Sequence, residues 1–374
     1  MQVDEIGAVW MRVRRIAKAA RRAGSPAAVV LGLTGCLEYP AEPPGGNNPE
    51  SDSSLYSPNS DGGTFFNPWN RFEWKRLDFL RFAFARSPYD KSLTPKVPVV
   101  PNDGASLTGV RPFAEITWVG HATFVIHDGE DVVLTDPHFS KRAFLPARHS
   151  PPGVPLESIP DDAFAVLSHN HYDHLDEGTV DGLPESVEWF VPLGLADWFR
   201  ERGRPNVKEL GWWESAERGR WTLTCLPSQH WSRRFGQGMN ETLWCSWLLD
   251  SGDHRYYFAG DTGYFHGFRE FGERFAPIDV AMLPIGAYEP RWFMRYQHMD
   301  PEEAYRAFRD LRAHTMLPMH WGTFDLTHEP VDEPAREFER VVTAAGGDPM
   351  RSPILAIGES WRVPARTEDQ AEAQ

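Results

Sequence analysis

The densest chemistry in the chain is the run His169-Asn170-His171-Tyr172-Asp173-His174. Imidazole nitrogen and carboxylate oxygen are the donors zinc prefers in a tetrahedral or slightly expanded shell. The apolar run Ala165-Val166-Leu167 followed by Ser168 delivers these donors to the end of a strand. Within a strand, alternate side chains split between two faces, but in a loop at its end they can converge on one point. More donors follow further short apolar runs: His230 in Pro227-Ser228-Gln229-His230-Trp231, Asp261 in Gly260-Asp261-Thr262-Gly263 and His320 in Pro318-Met319-His320-Trp321-Gly322. A lone histidine or aspartate of this kind is ordinarily a hydrogen-bonded core or turn residue. The six-residue cluster has no packing use. A mononuclear site needs only three protein ligands, and more than three are on offer, so a dinuclear centre is expected.

Strands and helices must position these groups. Ile116, Trp118 and Thr123 to Ile126 read as one strand, with Val132 to Thr135 as its partner and Asp128-Gly129 as the turn. Ala163 to Ser168, Trp221 to Leu226, Leu243 to Leu249, Tyr256 to Ala259, Val280 to Pro284 and Thr315 to Met319 are further strand candidates. Trp74 to Phe84 has helical apolar spacing. Asp300 as N-cap, Pro301 in the first turn and Glu303 at the third position announce a helix with Ala304, Phe308 and Leu311 on one face. Strands interleaved with helices predict a layered α/β architecture.

At 374 residues the chain can bury a sizeable core. Its formal charge of -15 opposes nucleic acid, so no nucleic-acid partner is expected. Basic residues cluster at Arg12, Arg14, Arg15, Lys18, Arg21 and Arg22, ahead of a short apolar run ending in Leu33-Thr34-Gly35-Cys36. That order predicts a lipoprotein signal peptide over 1–36, with Cys36 lipidated, and a location on the periplasmic side of a membrane. The alternative is a short N-terminal helix of a cytoplasmic protein. Residues 37–63, rich in Pro, Gly, Asn and Ser, read as a flexible tether, 64–364 as the folded domain that carries the metal donors and 365–374 as a disordered tail. Cys225 and Cys245 sit in apolar stretches and read as buried thiols, with a disulfide as the alternative.

The pattern His-x-His-x-Asp-His, followed by separate His, Asp and His, resembles the metallo-β-lactamase superfamily. Longer runs, among them Phe66-Asn67-Pro68-Trp69, Trp118 to Thr123, Trp189 to Gly194, Gly260 to Tyr264, Pro284 to Met294, Gln297 to Ala304 and His320 to Phe324, look like its N-acyl-phosphatidylethanolamine-hydrolysing phospholipase D branch. The resemblance covers about Phe65 to Trp361. It implies an αββα sandwich and two zinc ions per chain. One ion falls to His169, His171 and His230, the other to Asp173, His174 and His320, with Asp261 bridging. It also makes Tyr172 and His298 substrate contacts and gives His121 a supporting place beside the ligands.

On that reading, two zinc ions, two carboxylates and one bridging hydroxide leave a single positive charge, suited to a phosphodiester. Asp173, Asp261 and His298 carry the catalytic roles, with His298 orienting the phosphate or assisting the leaving alcohol. A diacyl substrate needs an apolar entry, for which Phe65, Phe66, Trp69, the 74–84 helix and Trp292-Phe293-Met294 are candidates. Arg233 and Arg234 could meet lipid phosphates or form a solvated pair. The alternatives are a carbonyl hydrolase of the lactonase kind and a non-catalytic, lipid-anchored envelope binding protein. Iron or manganese in place of zinc, and the oligomeric state, with a homodimer as one option, stay open.

Overall fold

The computed structural model describes residues 52–71, 76–91 and 95–365. The expected signal segment with Cys36, the first part of the expected tether, Trp74 and the tail from 366 lie outside the described residues.

The strands are β1 (Glu115–Gly120), β2 (Thr123–Asp128), β3 (Asp131–Thr135), β4 (Phe164–Val166), β5 (Glu188–Pro192) and β6 (Val207–Leu210). There follow β7 (Ser215–Arg218), β8 (Trp221–Leu226), β9 (Ser246–Asp250), β10 (Arg255–Phe258), β11 (Ile278–Pro284), β12 (Ala313–Met319) and β13 (Ser360–Arg362). The helices are α1 (Arg76–Phe84), α2 (Glu177–Gly182), α3 (Ala196–Arg200), α4 (Gly267–Phe275), α5 (Arg291–Met294), α6 (Pro301–Asp310) and α7 (Glu333–Ala344). One sheet runs β13-β1-β2-β3-β4-β5-β6 and the other β12-β11-β10-β9-β8-β7.

Side-chain alternation explains the layering. On β4, Phe164 and Val166 enter the main core, while Ala165 and the following Leu167 enter a second core on the opposite face. Phe190 on β5 and Trp118 on β1 likewise face the main core, and Trp189, Val191 and Val119 the second. Both faces of these strands are therefore covered, which is why they read as continuous apolar runs. Phe124, Phe164 and Phe190 of the seven-stranded sheet share the main core with Trp221, Trp247 and Tyr256 of the six-stranded one. Burying aromatic area of this kind contributes roughly 2–3 kcal/mol per side chain.

Three expectations change. Ile116 to Ile126 is two antiparallel strands, because Gly120 at φ 117° and His121 at φ 56° reverse the chain. A side chain at Gly120 would meet Arg148 Nη1 at 2.9 Å, so glycine is required there. Within the expected tether, Asp52–Tyr56 forms a 3-10 turn. Leu55 is buried in the core and its carbonyl accepts a 2.9 Å bond from Trp213 Nε1. Helix α6 begins as expected, with Asp300 accepting the Glu303 N–H at 2.8 Å. The Glu303 carboxylate, however, binds Arg291 Nη2 at 2.6 Å instead of closing a capping box. Cys225 and Cys245 are buried free thiols.

Candidate metal centre

Every expected metal donor follows a strand end. β4 leads into His169 to His174, β8 to His230, β10 to Asp261 and β12 to His320. The first four donors come from the seven-stranded sheet and the last three from the other, so the site straddles the edges of both sheets. Asp136 (φ 34°) and His320 (φ 65°) hold left-handed backbone, as does His121 in the β1–β2 turn. Strain of this kind, about 1–3 kcal/mol each, persists where the surrounding structure over-determines the residue.

The seven donors converge as two groups. His169 Nε2 lies 2.8 Å from His171 Nδ1, which lies 3.2 Å from His230 Nε2. Asp261 Oδ2 stands 3.8 Å from the Nε2 atoms of both His169 and His230. In the second group Asp173 Oδ2 is 3.6 Å from His174 Nε2 and 3.5 Å from His320 Nε2. Asp261 also faces this group, with Oδ2 3.1 Å from His174 Nε2 and Oδ1 3.1 Å from His320 Nε2.

Outer partners set the tautomers. Ser168 Oγ donates to Asp136 Oδ2 at 2.5 Å, so His169 Nδ1, 2.8 Å from that hydroxyl, must be the donor to it. His174 Nδ1 donates to Asp136 Oδ2 at 2.6 Å, and His230 Nδ1 to the Gln297 carbonyl at 3.1 Å. In His169 and His230 the Nε2 lone pair is left pointing inward, as a metal ligand requires. In His174 burial is outweighed by Asp261, Asp173 and Asp136, which raise the ring well above its ordinary value, and a bound cation would take the place of its Nε2 proton. Asp136 was missed by the sequence reasoning. It too ends an apolar run, Val132 to Thr135, which is the signal that flagged the other donors. His121 lies beside the ligands, its Nε2 3.0 Å from Asp173 Oδ2.

The donor set fits a cation. His174 Nε2, His320 Nε2 and Asp261 Oδ1 are buried without a hydrogen-bond partner. Among the described residues, Asp173 and Asp261 have ion-pair partners only in imidazoles, with no lysine or arginine. Buried carboxylates so placed need positive charge nearby. Burial alone would push Asp261 up, yet the facing His174, His320 and His298 rings outweigh it and hold the carboxyl well below the usual range. Burial and neighbouring imidazoles hold His169 well below its ordinary value, hence neutral. His320 is the reverse: burial pulls it down, but Asp261 and Asp173 raise it to about 9. A bound cation would take the place of that proton.

A cavity of about 170 Å³ opens onto the cluster. Its floor holds His171, Asp173, Asp261 and His298, and its wall Phe82, Ala287, Phe293, Met294 and Leu326. His298 thus lies in the cavity floor. Its backbone carbonyl is held by Arg291 Nη1 at 2.9 Å, which Glu303 of α6 fixes in turn. Burial takes the His298 ring down to about 3, leaving it neutral near pH 7 with one N–H and one lone pair. Tyr172 lies elsewhere, stacked on Phe144 at 4.7 Å, its hydroxyl accepting the Phe235 N–H at 3.1 Å. Arg234 is buried and donates to the Leu175 carbonyl at 2.8 Å, so it braces the ligand loop and does not form a solvated pair with Arg233. Of the expected apolar entry, Phe82, Phe293 and Met294 line the cavity, Trp69 is core, and Phe65 and Phe66 line a separate cavity behind His230 and Trp231.

Two predictions arise here. Asp136→Asn is expected to weaken metal affinity about 10–100-fold by loosening the His174 tautomer. Competition with a chromophoric chelator measures this, and unchanged affinity contradicts it. His138 is fully buried with neither ring nitrogen hydrogen-bonded, and burial pushes it down to about 4. An unfolded imidazole titrates near 6.5, so between about pH 6.5 and 4 the unfolded chain gains a proton that the folded one refuses. Stability should fall with pH across that window by roughly 3 kcal/mol from this group. His138→Gln should flatten the slope of unfolding free energy against pH there; an unaltered slope refutes it.

Residues 132–321 match the family described as a beta-lactamase superfamily domain. The chain is 37% identical over 350 residues to N-acyl-phosphatidylethanolamine-hydrolyzing phospholipase D 1 of Caenorhabditis elegans, a span of 84% of this chain and 97% of that one. A metal-dependent hydrolase of Methanopyrus kandleri is 29% identical, over 66% of this chain and 98% of its own. Among solved structures, a metallo hydrolase from Ignicoccus hospitalis superposes with a TM-score of 0.52 at 20% identity, covering 68% of this chain and 99% of that one, a likeness of fold.

Proposed function

Because this chain belongs to the metallo-β-lactamase superfamily and is a metal-dependent hydrolase, we propose that it cleaves the phosphodiester of N-acyl-phosphatidylethanolamine or a related phospholipid on the head-group side. The observation that carries this reading is the cavity, whose floor of imidazoles and carboxylates meets an apolar wall. An amphiphile with an anionic junction has that same division. The relative from Caenorhabditis elegans, named for this substrate, supports the choice.

His169, His171 and His230 would hold one zinc ion, Asp173, His174 and His320 the other, and Asp261 both. When bound, the ions supply Lewis acidity that ionises water at neutral pH and neutralises charge on a phosphoryl group. The protein does the rest. Asp136, Ser168 and the Gln297 carbonyl keep the ligand lone pairs aimed inward. Phe82, Phe293 and Met294 hold apolar chain and exclude bulk water from the floor. His298, neutral and anchored through Arg291, can direct its N–H at a phosphoryl oxygen or at the departing alkoxide, which must leave as the alcohol. The products are a phosphatidic acid and an N-acylethanolamine.

Turnover of a phospholipid panel and an acyl-lactone panel, with products identified by mass spectrometry, tests this. Phosphatidic acid is expected. Lactone opening without phosphodiester cleavage would replace the reading with the carbonyl hydrolase. A non-catalytic scaffold predicts missing donors, whereas all seven converge. We also propose lipidation at Cys36, to be checked by mass spectrometry of membrane-extracted protein; an intact N-terminus would refute it. No described helix is long and apolar enough to cross a membrane.

A further inference from the structure

Two loops beside the cavity carry aromatic tips that the hydrolytic site does not use. Phe144 is 63% exposed and Phe235 is 72% exposed. Both rest on Tyr172, Phe144 by stacking at 4.7 Å and Phe235 through its N–H to the tyrosine hydroxyl at 3.1 Å. Tyr172 lies in the chain between His171 and Asp173, both in the cavity floor, so the patch borders the mouth. Leu145, 38% exposed, extends it. Beside the opposite wall, α1 supplies Phe82 to the cavity and leaves Leu77 and Phe84 exposed.

The charge around these tips runs against that of the chain. Residues 140–149 offer Lys141 and Arg142, residues 231–239 offer the half-buried Arg233, and neither loop carries an acid, in a chain of net charge -15; Arg148 and Arg234 turn inward to the His138 and Leu175 carbonyls and take no part. Lys141 and Arg142 are exposed beside Phe144. Exposed aromatic tips with cationic flanks are suited to a lipid–water boundary, where rings enter the acyl border and the cations are attracted to anionic head groups. A nucleic acid offers the same negative charge but no apolar layer for the rings, and the whole-chain charge repels it.

We propose that loops 140–149 and 231–239 form a docking surface for an anionic phospholipid bilayer, seating the cavity mouth on the membrane independently of Cys36. The proposal deepens the phospholipid reading of the site and rests on it, but its test separates the two. The probe is the full metal-loaded chain carrying Cys36→Ser, co-sedimented with vesicles of phosphatidylcholine alone and of an equimolar mixture with phosphatidylglycerol. Binding to the mixed vesicles is expected. Phe144→Ser with Phe235→Ser should weaken it about tenfold or more, and Lys141→Glu with Arg142→Glu should remove the preference for the anionic mixture. Both double variants should keep wild-type metal content and wild-type turnover of a soluble short-chain phosphodiester, while losing turnover of vesicle lipid. Vesicle binding without phosphodiester cleavage would support the docking surface and sink the phospholipase reading. Equal vesicle binding and turnover by wild type and both variants would overturn the docking surface. So would a concentration-dependent dimer that Phe144→Ser with Phe235→Ser dissolves, since a second copy would then cover the patch.

Discussion

Replacing Asp261 with alanine is expected to lower kcat/KM by about a thousandfold or more and to deplete bound metal. Asp261 is the carboxylate that faces both donor groups: Oδ2 stands 3.8 Å from His169 and His230, and 3.1 Å from His174, while Oδ1 lies 3.1 Å from His320. Its removal leaves His169, His171 and His230 with no anionic donor beside them and subtracts the negative charge that both groups share, so two cations so close together lose the charge that offsets their mutual repulsion. Asp261→Asn keeps the volume and should fail almost as badly, which separates charge from packing. Steady-state turnover and metal content by elemental analysis check the claim. A variant with full metal content and more than a tenth of the wild-type rate contradicts it.

Stripping the metal is expected to abolish turnover and to destabilise the fold by roughly 3–5 kcal/mol, since ligand binding to the native state alone stabilises it by mass action. The structural reason is local. His174 Nε2, His320 Nε2 and Asp261 Oδ1 are buried with no hydrogen-bond partner, and the two ligand carboxylates have only imidazoles to compensate them. Calorimetry of chelator-treated protein should show the transition lowered by about 5–10 °C and restored by added metal. An unmoved transition after verified metal loss would mean that the donors satisfy one another without a cation.

The donors were legible in the sequence because each follows a short apolar strand, a local signal that survives without knowledge of the fold. Asp136 carried that signal and was overlooked, since a single Asp before Pro137 also reads as an ordinary turn. The β1–β2 reversal was hidden because Gly120-His121-Ala122 does not break the apolar alternation; what turns the chain is the left-handed backbone at Gly120 and His121. Leu55 could not be placed either. Its burial depends on partners far along the chain, the main core that takes its side chain and Trp213, which donates to its carbonyl and stacks on Tyr56.

Side-chain direction was harder to read than position. Tyr172 sits between two ligands, yet Phe144 and Arg234, the latter 4.3 Å from its ring, draw it to the rim. Glu303 marked a helix start in the sequence, but its carboxylate is held by Arg291 and Arg295, at 2.6 and 3.2 Å. That exchange matters to function, because the same Arg291 holds the His298 carbonyl over the cavity floor. Neither partner could be found from spacing along one helix.

The most direct measurement is a zinc titration of metal-free protein, following product formation from N-acyl-phosphatidylethanolamine by mass spectrometry. Phosphatidic acid and N-acylethanolamine should form in proportion to bound zinc and level off at two equivalents per chain. A metal-free chain as active as the loaded one, or a loaded chain that leaves the phosphodiester intact, would contradict the account.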